Sequence, residues 1–377
     1  MSRLPSAVRS LSSVALLIAG ILNGPSPVRA QEPAPEPVHI MTVDGVKLKA
    51  IFYPSTMKSA PTVIMLHSIG DGKSMKAPEW KSLAESLQKA KYSVIMFDFR
   101  GHGDSTSIDD PGPKGAFWTK LPNSALVKTK EKDTIEVKDY IKSSSVPGAY
   151  LPVLVNDIAA VRAYLDRRND EAKDCNTSSL IVIGAEGGAT LGALWINAES
   201  YRYKFTPHPM YPKNIKLGTF ANSAEGNDII GAVFLTIQPS FEKRTVSVAG
   251  LLKNACKDRG MAAAFFCGKD DAKSRDFAKT LESKLKLKGK KHEFIGAVEL
   301  NTNLTGVKLL QKSLGTDASI VKYLDSVVDD RKNERVDRDF SNSYYLWRGP
   351  GPALYLAKNM KGSKNLYFDD YNKFIPQ

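Results

Sequence analysis

Ser179-Leu180-Ile181-Val182-Ile183-Gly184-Ala185-Glu186-Gly187-Gly188-Ala189-Thr190-Leu191-Gly192-Ala193-Leu194-Trp195 carries the pattern from which the rest of the chain is read. Leu180, Ile181, Val182 and Ile183 form an unbroken apolar run, which predicts a short strand buried on both faces. Glycines follow at once, and Leu191, Leu194 and Trp195 then recur at helical spacing. The stretch therefore predicts strand, tight turn and helix in immediate succession. Gly184 and Gly188 stand two residues either side of Glu186, where a side chain would clash as a strained turn closes. Glu186 is thereby held above a helix N-terminus, facing backbone N–H groups that favour an anion.

Upstream, residues 39–43 and 46–53 alternate around Asp44-Gly45, a two-residue hairpin signal. Residues 61–66 predict a buried strand ending at His67-Ser68-Ile69-Gly70. Residues 77–90 predict an amphipathic helix with Trp80, Leu83, Ala84 and Leu87 on one face. Residues 93–97 predict the next strand, which runs into Asp98-Phe99-Arg100-Gly101-His102-Gly103-Asp104-Ser105. From 106 to 150 the pattern dissolves into turns, lysines and prolines, as in a short lid-like insertion. Residues 151–168 predict a helix that leads into the opening stretch.

Downstream, residues 229–236 and 261–267 predict two more buried strands, and 275–287 a helix. Residues 292–300 predict the last strand, and 306–328 contain a closing helix. Strands alternating with helices in this order imply an α/β fold, a mostly parallel central sheet covered by helices on both faces. Residues 31–328 then form one domain, and 329–377 an aromatic-rich C-terminal extension with Tyr344, Tyr345, Trp347, Tyr367 and Phe368. A hairpin around Lys361-Gly362-Ser363 fits that extension. Its aromatics either pack on the main domain or offer a carbohydrate-stacking surface.

Hydrophobic residues make up 42% of the 377-residue chain and charged residues 25%, which excludes a disordered protein. Residues 1–30 carry Arg3 and Arg9, a short apolar run from Val14 to Leu22, and Val28-Arg29-Ala30. That is the pattern of a cleavable signal peptide cut after Ala30, so the mature chain is expected to be secreted or periplasmic. The run is too short for a stable transmembrane anchor. Its removal takes away three arginines and no acid, so the net charge falls from +13 to +10. The excess suits an anionic cell-surface polymer. No nucleic-acid motif accompanies it, and lysines such as Lys279 and Lys284 read as a solvated helix face. Cys175, Cys256 and Cys267 show no metal-ligand spacing and no C-x-x-C pair, so no metal and no cofactor is implied. In an oxidising compartment Cys175 and Cys256 have the option of pairing.

Three motifs taken in order resemble the α/β-hydrolase superfamily over residues 38–328. His67-Ser68-Ile69-Gly70 is similar to the oxyanion loop after the third strand, and Asp98 to Ser105 resembles the D-x-R-G-H-G-x-S stretch after the fourth. Gly184-Ala185-Glu186-Gly187-Gly188 resembles the G-x-S-x-G nucleophile elbow, with Glu186 where the serine stands. The resemblance implies oxyanion-type backbone groups at Ser68, Ile69 and Gly187, and an acid at Asp271 in Gly268-Lys269-Asp270-Asp271. Helix N-capping by Asp270 or Asp271 explains that position equally well.

The resemblance also implies a histidine base after the last strand, and the loop there reads Glu299-Leu300-Asn301-Thr302-Asn303. Of the five histidines, His39, His67, His102, His208 and His292, none follows that strand. His67 and His102 match positions that hold loops in place, and Glu299 is the remaining proton acceptor nearby. Members of the superfamily with aspartate at the elbow form an ester intermediate, but glutamate is a methylene longer and displaces the attacking oxygen. Alternatively, Glu186 sets its own carboxylate in the oxyanion site and blocks it. The expectation is an exported α/β-hydrolase-fold protein with a degenerate triad, acting by binding a small molecule or polymer. A hydrolase using the elbow carboxylate or a displaced base is the first alternative. A cell-surface polysaccharide-binding protein is the second.

Overall fold

The central sheet places its strands in the order β1-β2-β4-β3-β5-β6-β7-β8. These are β1 (Glu36–Met41), β2 (Val46–Tyr53), β3 (Pro61–Leu66), β4 (Ser93–Phe97), β5 (Asn176–Ala185), β6 (Ile229–Leu235), β7 (Ala262–Gly268) and β8 (Ile295–Leu300). The structure, a computed structural model, describes residues 32–42, 44–109, 115–117, 123, 150–210, 218–241, 244–286, 294–331, 334–338 and 344–347. All elements below belong to the unit Pro33–Gln377. Residues 1–30, where a signal peptide is expected, most of the 106–150 insertion, His292 and the hairpin expected around Gly362 lie outside the described residues.

The strand pairings confirm a mostly parallel sheet. β1 and β2 pair antiparallel, β2 pairs antiparallel with β4, and every neighbour from β4 to β8 is parallel. β3, β4, β6 and β7 are buried at every position, as runs covered on both faces must be. Successive side chains leave a strand on opposite faces. Ile64, Leu66, Leu180 and Val182 therefore enter one core layer, and Val63, Met65, Ile181 and Ile183 the other.

Helices α1 (Pro78–Lys89), α2 (Val155–Glu171), α3 (Glu186–Glu199), α4 (Ala272–Leu285) and α5 (Thr316–Arg331) supply the two covers. Ile158 and Leu165 of α2, Leu191 and Leu194 of α3 and Leu281 of α4 fill the first layer. Trp80 and Leu83 of α1 and Ile320 and Leu324 of α5 fill the second. α4 begins three residues before the 275–287 expectation because Asp271 caps it. The fold is thus the α/β-hydrolase-like one implied by the sequence.

Because α1 leaves β3 on one face and α3 leaves β5 on the other, the chain reverses direction between these two neighbours. A crevice opens outside the carboxyl ends of the strands at such a switch point. The loop after β3 and the turn after β5 both end there. That crevice positions the site.

Part of the C-terminal extension lies on the domain. Arg338 donates to Asp228 at 2.8 Å and to Thr177 at 3.0 Å, and Tyr344–Trp347 pairs antiparallel with Arg202–Pro207. The three thiols answer the pairing question: Cys175, Cys256 and Cys267 are each buried and free. Burial pushes the Cys256 thiol up to about 12, which keeps it protonated and inert.

Candidate functional site

Glu186 opens α3 directly from the extended Ala185, with φ +49°. L-residues avoid this left-handed conformation, and non-glycine residues held there mark strained, over-determined positions. A Cβ on Gly188 would stand 2.1 Å from the His67 carbonyl oxygen, and one on Gly184 2.7 Å from the Cα of Ala189. The turn therefore closes only over these two glycines, and the expected elbow is present. Gly187 lies against Ile69, since a Cβ there would come 3.3 Å from the Ile69 Cβ. The loop Ser68-Ile69 and the start of α3 thus lie side by side.

The Glu186 carboxylate does not occupy that site. Its only polar partner among the described residues is the Lys73 ammonium, 3.9 Å away, and no backbone N–H donates to it. Its other neighbour is Gly306, whose φ is +56°: a Cβ there would lie 2.7 Å from Glu186 Cδ, so the Glu186 side chain would have to shift. The reason is length. The extra methylene carries the carboxylate past Gly187 and across to the loop after β8. Gly306 in turn donates its N–H to Thr236 Oγ1 at 2.9 Å, and Thr236, a β-branched residue, also holds a positive φ of +54°. Two side-chain-bearing residues with strained backbone and one glycine with a positive φ converge on one point.

A cleft of about 400 Å³ opens beside this point, lined by Glu186, Thr236, Gln238, Asp271, Phe277 and Thr305 among others. The structure therefore brings the two sequence-predicted acids, Glu186 and Asp271, to the same cleft. Asp271 is engaged as the N-cap of α4: it accepts the Ser274 N–H at 3.3 Å and the Ser274 hydroxyl at 2.5 Å. Its replacement by alanine is expected to cost about 1 kcal/mol in denaturant unfolding, the ordinary loss for an N-cap.

No described histidine lines the cleft. His67 Nε2 accepts the Phe99 N–H at 3.1 Å, and its other ring nitrogen bonds the Ser68 carbonyl at 2.7 Å. Burial and the neighbouring His102 drive His67 down to about 3, so it stays neutral. His102 Nε2 accepts the Gly70 N–H at 3.2 Å, and Nδ1 bonds the Arg100 carbonyl at 3.1 Å. Both imidazoles are loop fasteners, and burial lowers His102 also. Glu299 pairs with Lys279 at 2.8 Å and does not line the cleft.

Lys73, Thr236, Gln238 and Gly306 were not marked by the sequence. Gln238 takes part through its carbonyl, which accepts the Thr190 hydroxyl at 2.7 Å. These residues sit in loops after β3, β6 and β8, and only the topology brings them together. The one sequence signal was glycine itself at 306, directly after the loop that lacks a histidine.

Beneath the site lies a buried charge network. Arg100 donates through Nη1 and Nη2 to Asp44 at 2.5 and 3.0 Å, and through Nε and its backbone N–H to Asp157 at 2.8 and 2.9 Å. Asn123 and Thr42 also donate to Asp44, each at 2.6 Å. Burial raises Asp44, and the Arg100 charge with these hydrogen bonds more than offsets it, leaving the carboxyl below its usual range. For Asp157 burial prevails over Arg100 and pushes the carboxyl up.

A family model described as the alpha/beta hydrolase fold matches residues 61–167. Among solved structures, an esterase from Pyrococcus furiosus is similar at 15% identity and TM-score 0.45, covering 78% of this chain and 91% of its own. A dienelactone hydrolase from Anabaena variabilis is similar at 11% identity and TM-score 0.45, covering 80% and 99%. A putative α/β hydrolase from Agrobacterium tumefaciens is similar at 16% identity and TM-score 0.46, covering 78% and 98%. No curated protein matches the chain.

Proposed function

We propose that the chain is an α/β-hydrolase-fold protein whose triad has degenerated and which binds a small molecule in the cleft without hydrolysing it. The observation that carries this reading is the engagement of Glu186. Its carboxylate is turned onto Gly306 and Lys73, and each described imidazole near the elbow is bonded to backbone. A carboxylate nucleophile needs an open line of attack, and the intermediate it forms needs a base to activate the hydrolytic water. The group across the cleft, Asp271, is instead fixed to Ser274. Export before this binding is part of the proposal, supported by the basic, apolar and small-residue pattern of residues 1–30.

The second reading, hydrolysis by a carboxylate at the elbow, draws support from Glu186 and Asp271 sharing one cleft. Substitution separates the two. Glu186→Ser is expected to fold with stability within about 1 kcal/mol of the parent, because a half-exposed pair at 3.9 Å contributes little. Assayed with p-nitrophenyl acetate and butyrate, both the parent and Glu186→Ser are expected to show no turnover above a Glu186→Ala control. Robust ester hydrolysis by Glu186→Ser would reveal a working base and overturn the binding reading. Hydrolysis by the parent, lost in Glu186→Gln, with an acetyl or butyryl adduct (a mixed anhydride at Glu186, p-nitrophenolate having left) in the intact mass of the parent, would establish the second.

A further inference from the structure

The C-terminal extension is fastened to the domain at two places. Tyr344–Trp347 pairs with the strand Arg202–Pro207, and ahead of it residues 334–338 form a strap against α2 and the start of β5. The Val336 N–H donates to the Ser178 hydroxyl at 3.0 Å, the Arg338 N–H to the Asp170 carboxylate at 2.9 Å, and Arg335 to the Asn169 carbonyl at 2.9 Å. The Arg338 side chain goes inward and is 8% exposed. Its Nη1 donates to Asp228 at 2.8 Å and its Nη2 to the Ser178 hydroxyl at 3.0 Å.

The cluster that Arg338 enters holds more carboxylates than cations. Three acids meet there: Asp166 of α2, and Glu225 and Asp228 of the turn Glu225–Asp228. Among the described residues their ion pairs run to two guanidiniums, Arg162 of α2 and Arg338. Both donate to Asp228 Oδ2, at 3.0 and 2.8 Å, and Arg162 also donates to Asp166 at 2.9 Å. Glu225 is the acid left over. Its Oε2 stands 3.6 Å from Arg162 and 3.9 Å from Arg338, is buried, and accepts no hydrogen bond. The other cations around the turn are committed elsewhere. Arg202 donates to Glu199 of α3 at 2.8 Å, and Arg259, packed against Gly226, donates to the Ser200 hydroxyl. Burying an ionised oxygen that accepts no hydrogen bond is costly, so the surplus acid favours its protonated form. Burial accordingly pushes the Glu225 carboxyl from 4.5 up to about 7, with Asp228 adding to the rise and Arg202, Arg162 and Arg338 opposing it.

We infer that Glu225 is a proton-operated catch for the C-terminal extension: the strap seats Arg338 while Glu225 is protonated and loosens when Glu225 ionises. Lifting the strap withdraws Arg338 and admits water to the turn, where Glu225 returns toward its ordinary value. The docked strap therefore holds a proton that the lifted one releases. The resulting stabilisation is complete below about 4.5 and is lost as the pH rises through about 7. Glu186 begins α3 and Glu199 ends it, so the catch lies at the other end of that helix from the cleft and works whether or not the cleft binds a ligand.

Hydrogen exchange of the full chain, read by mass spectrometry between about pH 5.5 and about pH 8.5 and corrected for the intrinsic rate, tests it through peptides holding Val336 and Arg338. Protection there is expected to fall about tenfold across the range, while β6 keeps its protection. Glu225→Gln is expected to flatten the profile at the protected level, and Arg338→Gln to lower protection at every pH. His208→Gln removes the imidazole just beyond the strand Arg202–Pro207 and is expected to leave the fall unchanged. A parental profile that is flat or rises with pH would overturn the inference. So would a fall that survives in Glu225→Gln or vanishes in His208→Gln, or a strap equally protected without Arg338. The parent and His208→Gln profiles decide the matter even where a change at Glu225 fails to fold.

Discussion

Gly188→Ala is expected to lower stability toward urea by about 3 kcal/mol or more. The added carbon would lie 2.1 Å from the His67 carbonyl oxygen and 2.9 Å from that of Leu66. Both belong to the backbone where β3 ends, so no rotamer change can relieve the overlap. Moving α3 away from β3 would unpack Leu191, Leu194 and Trp195 from the core. Overpacking a well-filled core typically costs about 1–3 kcal/mol, and a backbone–backbone overlap of this depth stands at or beyond the upper end. Total stability of about 5–15 kcal/mol leaves a modest margin for such a change. Circular dichroism with urea unfolding checks it: a variant within about 1 kcal/mol of the parent would mean that the turn closes differently.

Arg100→Met is the second large effect. The methionine fills most of the volume, but Asp44 and Asp157, both fully buried, lose the cation they share. Removing one partner of a buried pair costs about 3–5 kcal/mol, because the remaining charge is stranded out of water. Lysine is a poor substitute, since it cannot match the forked donation to two carboxylates. The expected result is a fall in the urea midpoint equivalent to about 3–5 kcal/mol. A triple change of Arg100, Asp44 and Asp157 to apolar residues is expected to recover much of it, because buried networks rarely stabilise more than apolar packing does. Near-parental stability of Arg100→Met would show that the two acids take up protons without strain.

The reasons for these effects were legible to different degrees. Apolar runs at β3, β5, β6 and β7 announced a covered parallel sheet, because buried strands leave no polar face to obscure the pattern. The glycine spacing around Glu186 announced the turn, because only backbone crowding requires it. Arg100 was legible as part of a motif and not as a hub, since its partners come from 56 and 57 residues away on either side. Asp271 showed the opposite ambiguity: the same residue serves as an acid position or as a cap, and Ser274 three residues on decides for the cap. Lys73 and Thr236 were silent because no local rule marks a residue whose role arises when three loops converge. The direction of the Glu186 side chain was misjudged for the same reason. The sequence shows what surrounds the elbow along the chain, and not the opening above it at Gly306.

That opening constrains the order in which chemistry could be restored. An imidazole entering from residues 301–305 would meet the volume that Glu186 now fills beside Gly306. A histidine gained first would collide with the carboxylate or be fixed by it as a charged pair, and a serine gained first would find no base. Shortening position 186 has to come before the loop acquires a proton acceptor, and that intermediate confers no activity on which selection can act. On the binding reading proposed above, the contact between one carboxylate and one glycine therefore leaves no single substitution that restores both a serine and a base.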